Sequence, residues 1–345
     1  MPLLSVRIIR HEGNYHVSSQ KAGRRWKPDC LYHRFMTIAR HRIRQILLLA
    51  FCLSVTWANP AVSHDAHRRD LQVVATDDSD TARRIVQDLR KKFPSAQVLN
   101  DPTKRKPGGK DSVYITIGPS ALRALLSQHP EGTIISTFTS SQAYRAILES
   151  TPEKRTAAIT AIYAEPSPLV QLRLISMLYK RPVETGSILS AKTAFLESAL
   201  QRAASYANIS LTVETFSLGD NLNRVLNRLS DALVILALPD STVYNAENIR
   251  NILVTTYRNN QAVVGFSAAL VKAGALATTY SEIEDIDAQI DELVRDFEAS
   301  GKLPEPQFPK YFRTIVNEDV ARSLNIVVDE SVKSFARKPA MMRQP

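Results

Sequence analysis

Short apolar runs alternate along this chain with stretches whose apolar positions recur every three to four residues. Such runs, bounded by turn residues, read as buried strands, and the helical spacing reads as amphipathic helices. Their alternation is the mark of a parallel, doubly wound sheet. The pattern is clearest from Asp231 to Ser281. A buried strand there ends in Pro239-Asp240, and a helix runs from about Asn245 to Tyr257. A second buried strand ends in Gly265-Phe266-Ser267, and a third segment spans Gly274 to Tyr280. Ligands of such sheets sit beyond the carboxyl ends of the strands, where Asp240 and Ser267 fall.

The same alternation begins at Leu71. Strand Leu71–Ala75 passes through Asp77-Asp78-Ser79-Asp80, a cluster suited to N-capping, into a helix with Ala82, Ile85, Val86, Leu89 and Phe93 on one face. Strands follow near Ala96–Leu99, Val113–Ile117 and Thr133–Thr137, with helix Ala121–Gln128 opened by Gly118-Pro119-Ser120. The basic loop Asp101–Lys110 lacks the GK[ST] ending and the strand–helix placement of a phosphate loop, and reads as a solvated connection. A second series starts at Ile159: strand Ile159–Glu165, a helix carrying Leu169, Leu172, Ile175, Met177 and Leu178, strand Gly186–Ser190, helix Lys192–Ala207, strand Ile209–Phe216 and helix Asp220–Leu229. After Ser281 come helix Ile283–Phe297, a proline-marked crossing at Pro304, Pro306 and Pro309, strand Tyr311–Val316 and helix Glu318–Leu324. Two series with the chain returning at the end predict an α/β protein of two doubly wound parallel-sheet lobes joined by a multi-crossing hinge.

Charge changes little in the body of the chain. The 345 residues carry a formal net charge of +10, but residues 1–58 hold ten Lys/Arg against two Asp/Glu, which leaves only +2 for the rest. Nucleic acid therefore loses its electrostatic footprint as a partner. The basic leader has the form of a secretory signal: Arg40, Arg42 and Arg44, the apolar run Ile46–Val55, then Thr56-x-Ala58 as a cleavage site. Met36 is a natural initiator for it. Phe51 stands where a lipidated Cys52 would want a small residue. Both cysteines, Cys30 and Cys52, lie in the part to be removed, so the mature chain has no thiol for disulfides, catalysis or metal. No later segment offers the roughly twenty apolar residues a spanning helix needs.

Catalytic signatures are missing as well. The chain contains no G-x-S-x-G, no H-E-x-x-H and no Walker motif, and His64, His67 and His129 are the histidines beyond the leader. A binding protein without enzymatic activity or cofactor is expected. A metal site at His64 and His67 competes with the plainer reading of an extended mature N-terminus.

Three segments carry a family resemblance: IYAEPS to QLRLI within 162–175, LPDSTVYNAENIRNILVTTYR (238–258) and VVGFSAALVKAGALATTYS (263–281), with TIVNEDVARSLNI (314–326) as a matching strand–Asn–helix ending. They resemble the uncharacterised ABC-transporter substrate-binding proteins, which share the type I periplasmic-binding-protein fold. The likeness spans most of residues 70–330 and is strongest in 231–326. It implies two α/β lobes, a hinge of three crossings and a ligand trapped between the lobes in the cell envelope; some Gram-positive relatives are tied to aromatic amino acids. Sugar binders of this fold place a carboxylate after the strand equivalent to Val263–Phe266, where this chain has Ser267. A hydroxyl cannot supply the charge-assisted bonds that grip vicinal hydroxyls.

Cleft-facing strand ends are expected to present Ser120, Thr137 and Thr139 from the first lobe, and Glu165, Ser167, Ser190, Lys192, Phe216, Asp240, Tyr244 and Ser267 from the second. For an amino acid or similar zwitterion, Asp240 or Glu165 suits the ammonium, while Ser120 and Ser167, each ahead of a helix, suit the carboxylate. Tyr163, Phe216 or Tyr244 suits an apolar face. Plainer roles stand beside each of these. Ser120 and Asp240 suit helix capping, Glu165 a solvated turn, Tyr163 the core, Tyr244 hinge packing, Lys192 a helix start and Asn317 a turn.

The expected organisation is a leader with signal peptide (1–58), a first lobe (70–158 with 279–308), a second lobe (159–278 with 309–330) and a tail (331–345). The expected function is periplasmic capture of a small molecule, a zwitterion over a free sugar, for an ABC permease and ATPase of the inner membrane. The alternative is an envelope sensor or regulator docking on a partner.

Overall fold

The computed structural model describes residues 70–104, 109–151 and 156–340. The leader with its signal peptide, Cys30, Cys52, His64 and His67, residues 105–108 of the basic loop and the last five residues of the tail lie outside the described residues.

Five strands build the first sheet: β1 (Leu71–Val74), β2 (Gln97–Leu99), β3 (Val113–Ile117), β4 (Thr133–Thr139) and β5 (Ala158–Tyr163). They are all parallel, in the order β2-β1-β3-β4-β5. Three helices follow strands in this lobe: α1 (Asp80–Lys92) after β1, α2 (Gly118–Leu126) after β3 and α3 (Ser141–Ser150) after β4. Local chemistry explains α1. The Ser79 hydroxyl accepts from Ala82 N at 3.2 Å, Ala82, Ile85 and Leu89 are buried on one face, and Arg90, Lys91 and Lys92 complement the dipole of the last turn. Apolar cores form on both faces of the sheet, as the crossover helices require.

The second sheet has six strands: β6 (Glu184–Leu189), β7 (Ser210–Thr215), β8 (Val234–Leu236), β9 (Ala262–Val264), β10 (Ala277–Tyr280) and β11 (Arg313–Val316). Their order is β11-β10-β9-β8-β6-β7, and only β11 runs antiparallel. Its helices are α4 (Pro168–Tyr179), α5 (Glu197–Ala207), α6 (Leu222–Arg228), α7 (Ala246–Arg258) and α8 (Ala268–Lys272). The chain then returns as α9 (Ile283–Ser300), whose Ile286, Ile290, Leu293, Val294 and Phe297 join Val73, Ile115 and Ile162 in the first lobe's core. After β11 the chain closes on the second lobe with α10 (Glu318–Ser323) and α11 (Glu330–Lys333), where Ala321 and Val332 enter a core with Leu174 and Ile175. Each fully buried Val, Leu or Ile among these contributes about 1.5–3 kcal/mol.

Three segments cross between the sheets: one after Tyr163, one after Tyr280 and one between Gln307 and Arg313. Polar contacts fasten them. The buried Gln171 amide, in the first turn of α4, donates to Gly265 O and Thr278 Oγ1 and accepts from Thr279 N at 2.9 Å. Arg313 on β11 pairs with Glu282 at 2.9 Å and with buried Asp285 at 3.1 Å, while Ser281 Oγ donates to Tyr311 O at 2.6 Å.

Three expectations need correction. The strand expected at Ile159–Glu165 as the start of the second lobe is β5, and it pairs with β4 of the first sheet over six positions. An apolar run fits either sheet; pairing decides, and the lobe boundary moves past Tyr163. Residues 279–280, expected in the first lobe, lie in β10, paired with Thr314 and Arg313 of the second sheet. Helix α3 is one the apolar pattern does not announce. Ser140 caps it by accepting from Ala143 N at 3.1 Å, and Tyr144 and Ile147 are its buried residues among small and polar ones.

Candidate functional site

The loops at the carboxyl ends of the two sheets meet at α3. Gln142 of the first lobe reaches across to the second: its Nε2 lies 3.4 Å from Asp240 Oδ1, and Ser241 N lies 3.5 Å from its Oε1. One turn further along, the Arg145 guanidinium stacks 4.6 Å from the centre of the Phe195 ring. A groove of about 340 Å³ between the lobes is lined by Gln142, Arg145 and Phe195 together with Glu149 and Lys192.

Both carboxylates expected to meet an ammonium are occupied internally. Asp240 is buried and accepts from Ser190 N and Thr242 N, each at 2.9 Å, and from the Thr193 hydroxyl. Burial alone would raise its pKa, but the donors from Thr193, Ser190 and Thr242 outweigh burial and hold it below the ordinary carboxylate range. Glu165, also buried, accepts from Ser141 N at 2.9 and 3.2 Å with its two oxygens, at the first turn of α3. Here burial prevails over those bonds and pushes the carboxyl up.

Other expected residues are committed to the fold in the same way. The Thr137 hydroxyl donates to Thr116 O at 2.8 Å and that of Thr139 to Thr137 O at 3.2 Å, both fully inside the sheet. Ser267 caps α8 by accepting from Leu270 N at 3.3 Å, and Asn317 caps α10 by accepting from Val320 N at 3.2 Å. Ser167 occupies the N-cap position of α4 without a side-chain cap bond. Tyr163 packs edge-on against Tyr144 and Phe308, and burial pushes its hydroxyl up to about 12. Phe216 is core. Tyr244 packs edge-on against Phe266, and its buried hydroxyl has no hydrogen-bond partner. Ser190 is buried, and Lys192 is exposed at the interlobe groove.

Ser120 alone of the expected first-lobe residues lines an open cavity. This cavity, about 570 Å³, sits at the carboxyl ends of β1, β3 and β4, the same sheet edge from which Gln142 reaches the second lobe. Thr76, Asp77, Ser79, Thr81 and Ser120 give it a polar rim, and Ile85, Ile117, Pro119 and Phe138 an apolar floor. Asp77 is the one charged side chain in its lining. Its carboxylate is already positioned, accepting from Ser79 N at 3.1 Å and Ser79 Oγ at 2.8 Å. Thr76 Oγ1 is buried without a partner. Helix α2 opens onto the cavity with no side-chain cap, because β3 turns into it through Gly118 at φ +80, a left-handed conformation that favours glycine.

Phe138 reaches the cavity by an irregular route. The pairing of β4 with β5 shifts between Thr137 and Thr139, and Phe138 in between has φ +53, which is rare for a bulky side chain. The bulge leaves Phe138 half-buried between two fully buried threonines. Neither Phe138 nor Asp77 stood among the expected residues. Asp77 was within reach, since it follows β1 as Asp240 follows β8. A bulge leaves no mark in the apolar pattern.

No protein-family model matches the chain, and no curated protein matches it in sequence. Solved structures do. A ligand-free, open substrate-binding protein with adhesive properties from Clostridium difficile superposes with a TM-score of 0.55 at 13% identity, covering 77% of this chain and 97% of that one. An ABC domain from Streptococcus pneumonia in complex with L-Trp gives 0.50 at 14% identity over 77% of this chain and 97% of that one. The chain has the type I periplasmic-binding-protein fold. A conserved domain protein from Vibrio cholerae is 19% identical over 76% of this chain and 96% of that one, with a TM-score of 0.49. At these identities the likeness is one of fold. Among the described residues no helix is long and apolar enough to cross a membrane, and no group of three His, Cys, Asp or Glu side chains is placed to hold a metal ion.

Proposed function

We propose that the protein is a solute-binding protein of the cell envelope, which takes up a small zwitterion in the 570 Å³ cavity of its first lobe and closes its second lobe over it. The observation that carries this reading is the cavity's position on the sheet edge that faces the second lobe, within a fold whose lobes are joined by three crossings. Its chemistry favours an amino acid or similar molecule over a free sugar. The positioned Asp77 carboxylate suits an ammonium, the uncapped amino end of α2 with the Ser120 hydroxyl suits a carboxylate, and Phe138 suits a flat or apolar face. Asp240 and Glu165, occupied by backbone donors, serve as supports for the loops around the cleft.

Closure is by hinge motion, with Gln142 and Arg145 as first-lobe contacts for the second lobe. An ABC permease and ATPase are the partners this reading implies, and export by the Arg40–Ala58 signal puts the protein in the periplasm. Native mass spectrometry of gently purified protein tests the proposal. A bound small molecule that carries both an amine and an acid is expected. Recovery of a neutral sugar, or of protein with nothing bound that also ignores a panel of amino acids in calorimetry, overturns it.

A further inference from the structure

Asp287 lies on α9, the long helix that returns from the second lobe to cover the first. It is 0% exposed, and neither carboxylate oxygen has a hydrogen-bond partner. An orphaned buried carboxylate is costly, and native folds pair or neutralise such groups. Its surroundings offer no neutralising contact at bonding distance. The charged groups nearest in effect are Asp88 and Lys92 on α1, which packs against α9, and Glu284 one turn earlier on α9 itself. Asp88 is held by Lys91 at 2.7 Å, and Glu284 pairs with Arg84, so these two basic residues are engaged by other acids, and Lys92 makes no ion pair with Asp287.

The helix across from Asp287 also forms the cavity. Its cap Ser79 and its residues Thr81, Ala82 and Ile85 line the cavity wall, and Ile85 and Leu89 share a core with Ile286 and Ile290 of α9. We propose that Asp287 is a proton-operated latch, which holds α1 and the cavity wall it carries against α9 while neutral and loosens that packing when ionised. Burial, then Asp88, push its carboxyl up to about 7, with Lys92 pulling the other way and Glu284 adding to the rise. The folded-state value thus lies above the unfolded one. The stabilising contribution is complete below the ordinary carboxylate range and is lost as pH rises through about 7. An envelope protein exposed to the pH of its medium would meet that window.

The latch does not depend on what the cavity holds, so its test uses no ligand and leaves the ligand reading standing if it fails. The full chain and its Asp287→Asn variant, whose amide stays uncharged, are unfolded in urea between pH 5 and 8. The ratio of their unfolding constants is expected to rise on the order of fifty-fold across that range, with wild type the weaker at high pH. A ratio that stays constant overturns the proposal. Should the variant fail to fold, hydrogen exchange on the wild-type chain decides. Once corrected for intrinsic rates, protection of α1 falls as pH rises to about 7, and by more than that of α5 in the second lobe. A parallel fall of both helices refutes the latch.

Discussion

Replacing Asp240 by alanine separates a supporting carboxylate from a ligand-binding one. In the folded protein this side chain accepts from Ser190 N, Thr242 N, the Thr193 hydroxyl and, more loosely, Gln142 Nε2. After truncation Ser190 N keeps a contact to Thr193 Oγ1 at 3.1 Å, and the Thr193 hydroxyl keeps Ser190 O at 3.3 Å. Thr242 N, at a half-buried site, and Gln142 Nε2 are left without this acceptor, and with them two charge-assisted bonds are lost outright. With about 1.5–3 kcal/mol for a bond to a charged group and a similar penalty for an orphaned donor, partly relieved by the surviving contacts, the net loss is about 3 kcal/mol. For a body of this size that is a fall in Tm of roughly 5 °C, read by calorimetry without ligand. Asp240→Asn, which keeps one acceptor, is expected to lose about half as much. The sign with pH is also fixed. Because the folded carboxyl lies below the ordinary range, its contribution is present above that range and fades as pH falls through the lowered value. The gap between wild type and D240A therefore narrows in acid. A D240A variant within about 0.5 kcal/mol of wild type refutes the supporting role.

Other substitutions probe the hinge, the cavity and the position where sugar binders carry an acid. Gln171→Leu leaves Thr279 N without its partner, while Gly265 O keeps the Thr278 hydroxyl at 2.8 Å; a loss of about 2 kcal/mol in urea unfolding is expected, and an unchanged midpoint contradicts the hinge role. Ser267→Ala removes the cap of α8 and should cost about 1 kcal/mol with ligand affinity unchanged in calorimetry; weakened binding would return Ser267 to the ligand site. Phe138→Ala deletes the aromatic floor of the cavity, and affinity for the recovered ligand should fall at least about tenfold; full affinity would place the ligand elsewhere.

Much of the architecture is visible in the apolar pattern because both faces of each sheet are covered. β3, for instance, is buried at every position from Val113 to Ile117, and it reads as an uninterrupted apolar run apart from Thr116. Membership of a sheet is another matter. β5 has the same composition whether it pairs with β4 or with β6, and only its pairing with β4 over six positions shows where it belongs. At the site, strand-end logic pointed to the carboxyl ends of the strands but not to which groups there are already bonded within the fold. Asp240 and Glu165 were legible as carboxylates near the cleft, but whether backbone N–H groups already occupy a carboxylate depends on loops folded around it. Phe138 was illegible for a different reason: its exposure comes from a one-residue bulge, which no periodicity encodes.

The central claim is that the two lobes close over a small molecule. Residues 59–345 contain no cysteine, so spin labels on Arg123→Cys in α2 and Tyr206→Cys in α5, both exposed, report one distance between the lobes. Electron–electron resonance on the labelled mature chain, with and without the molecule recovered from the protein or a panel of amino acids, measures it directly. A shorter and narrower distance distribution with ligand is the predicted result. The same distribution in every sample, at ligand concentrations that saturate binding, contradicts the account.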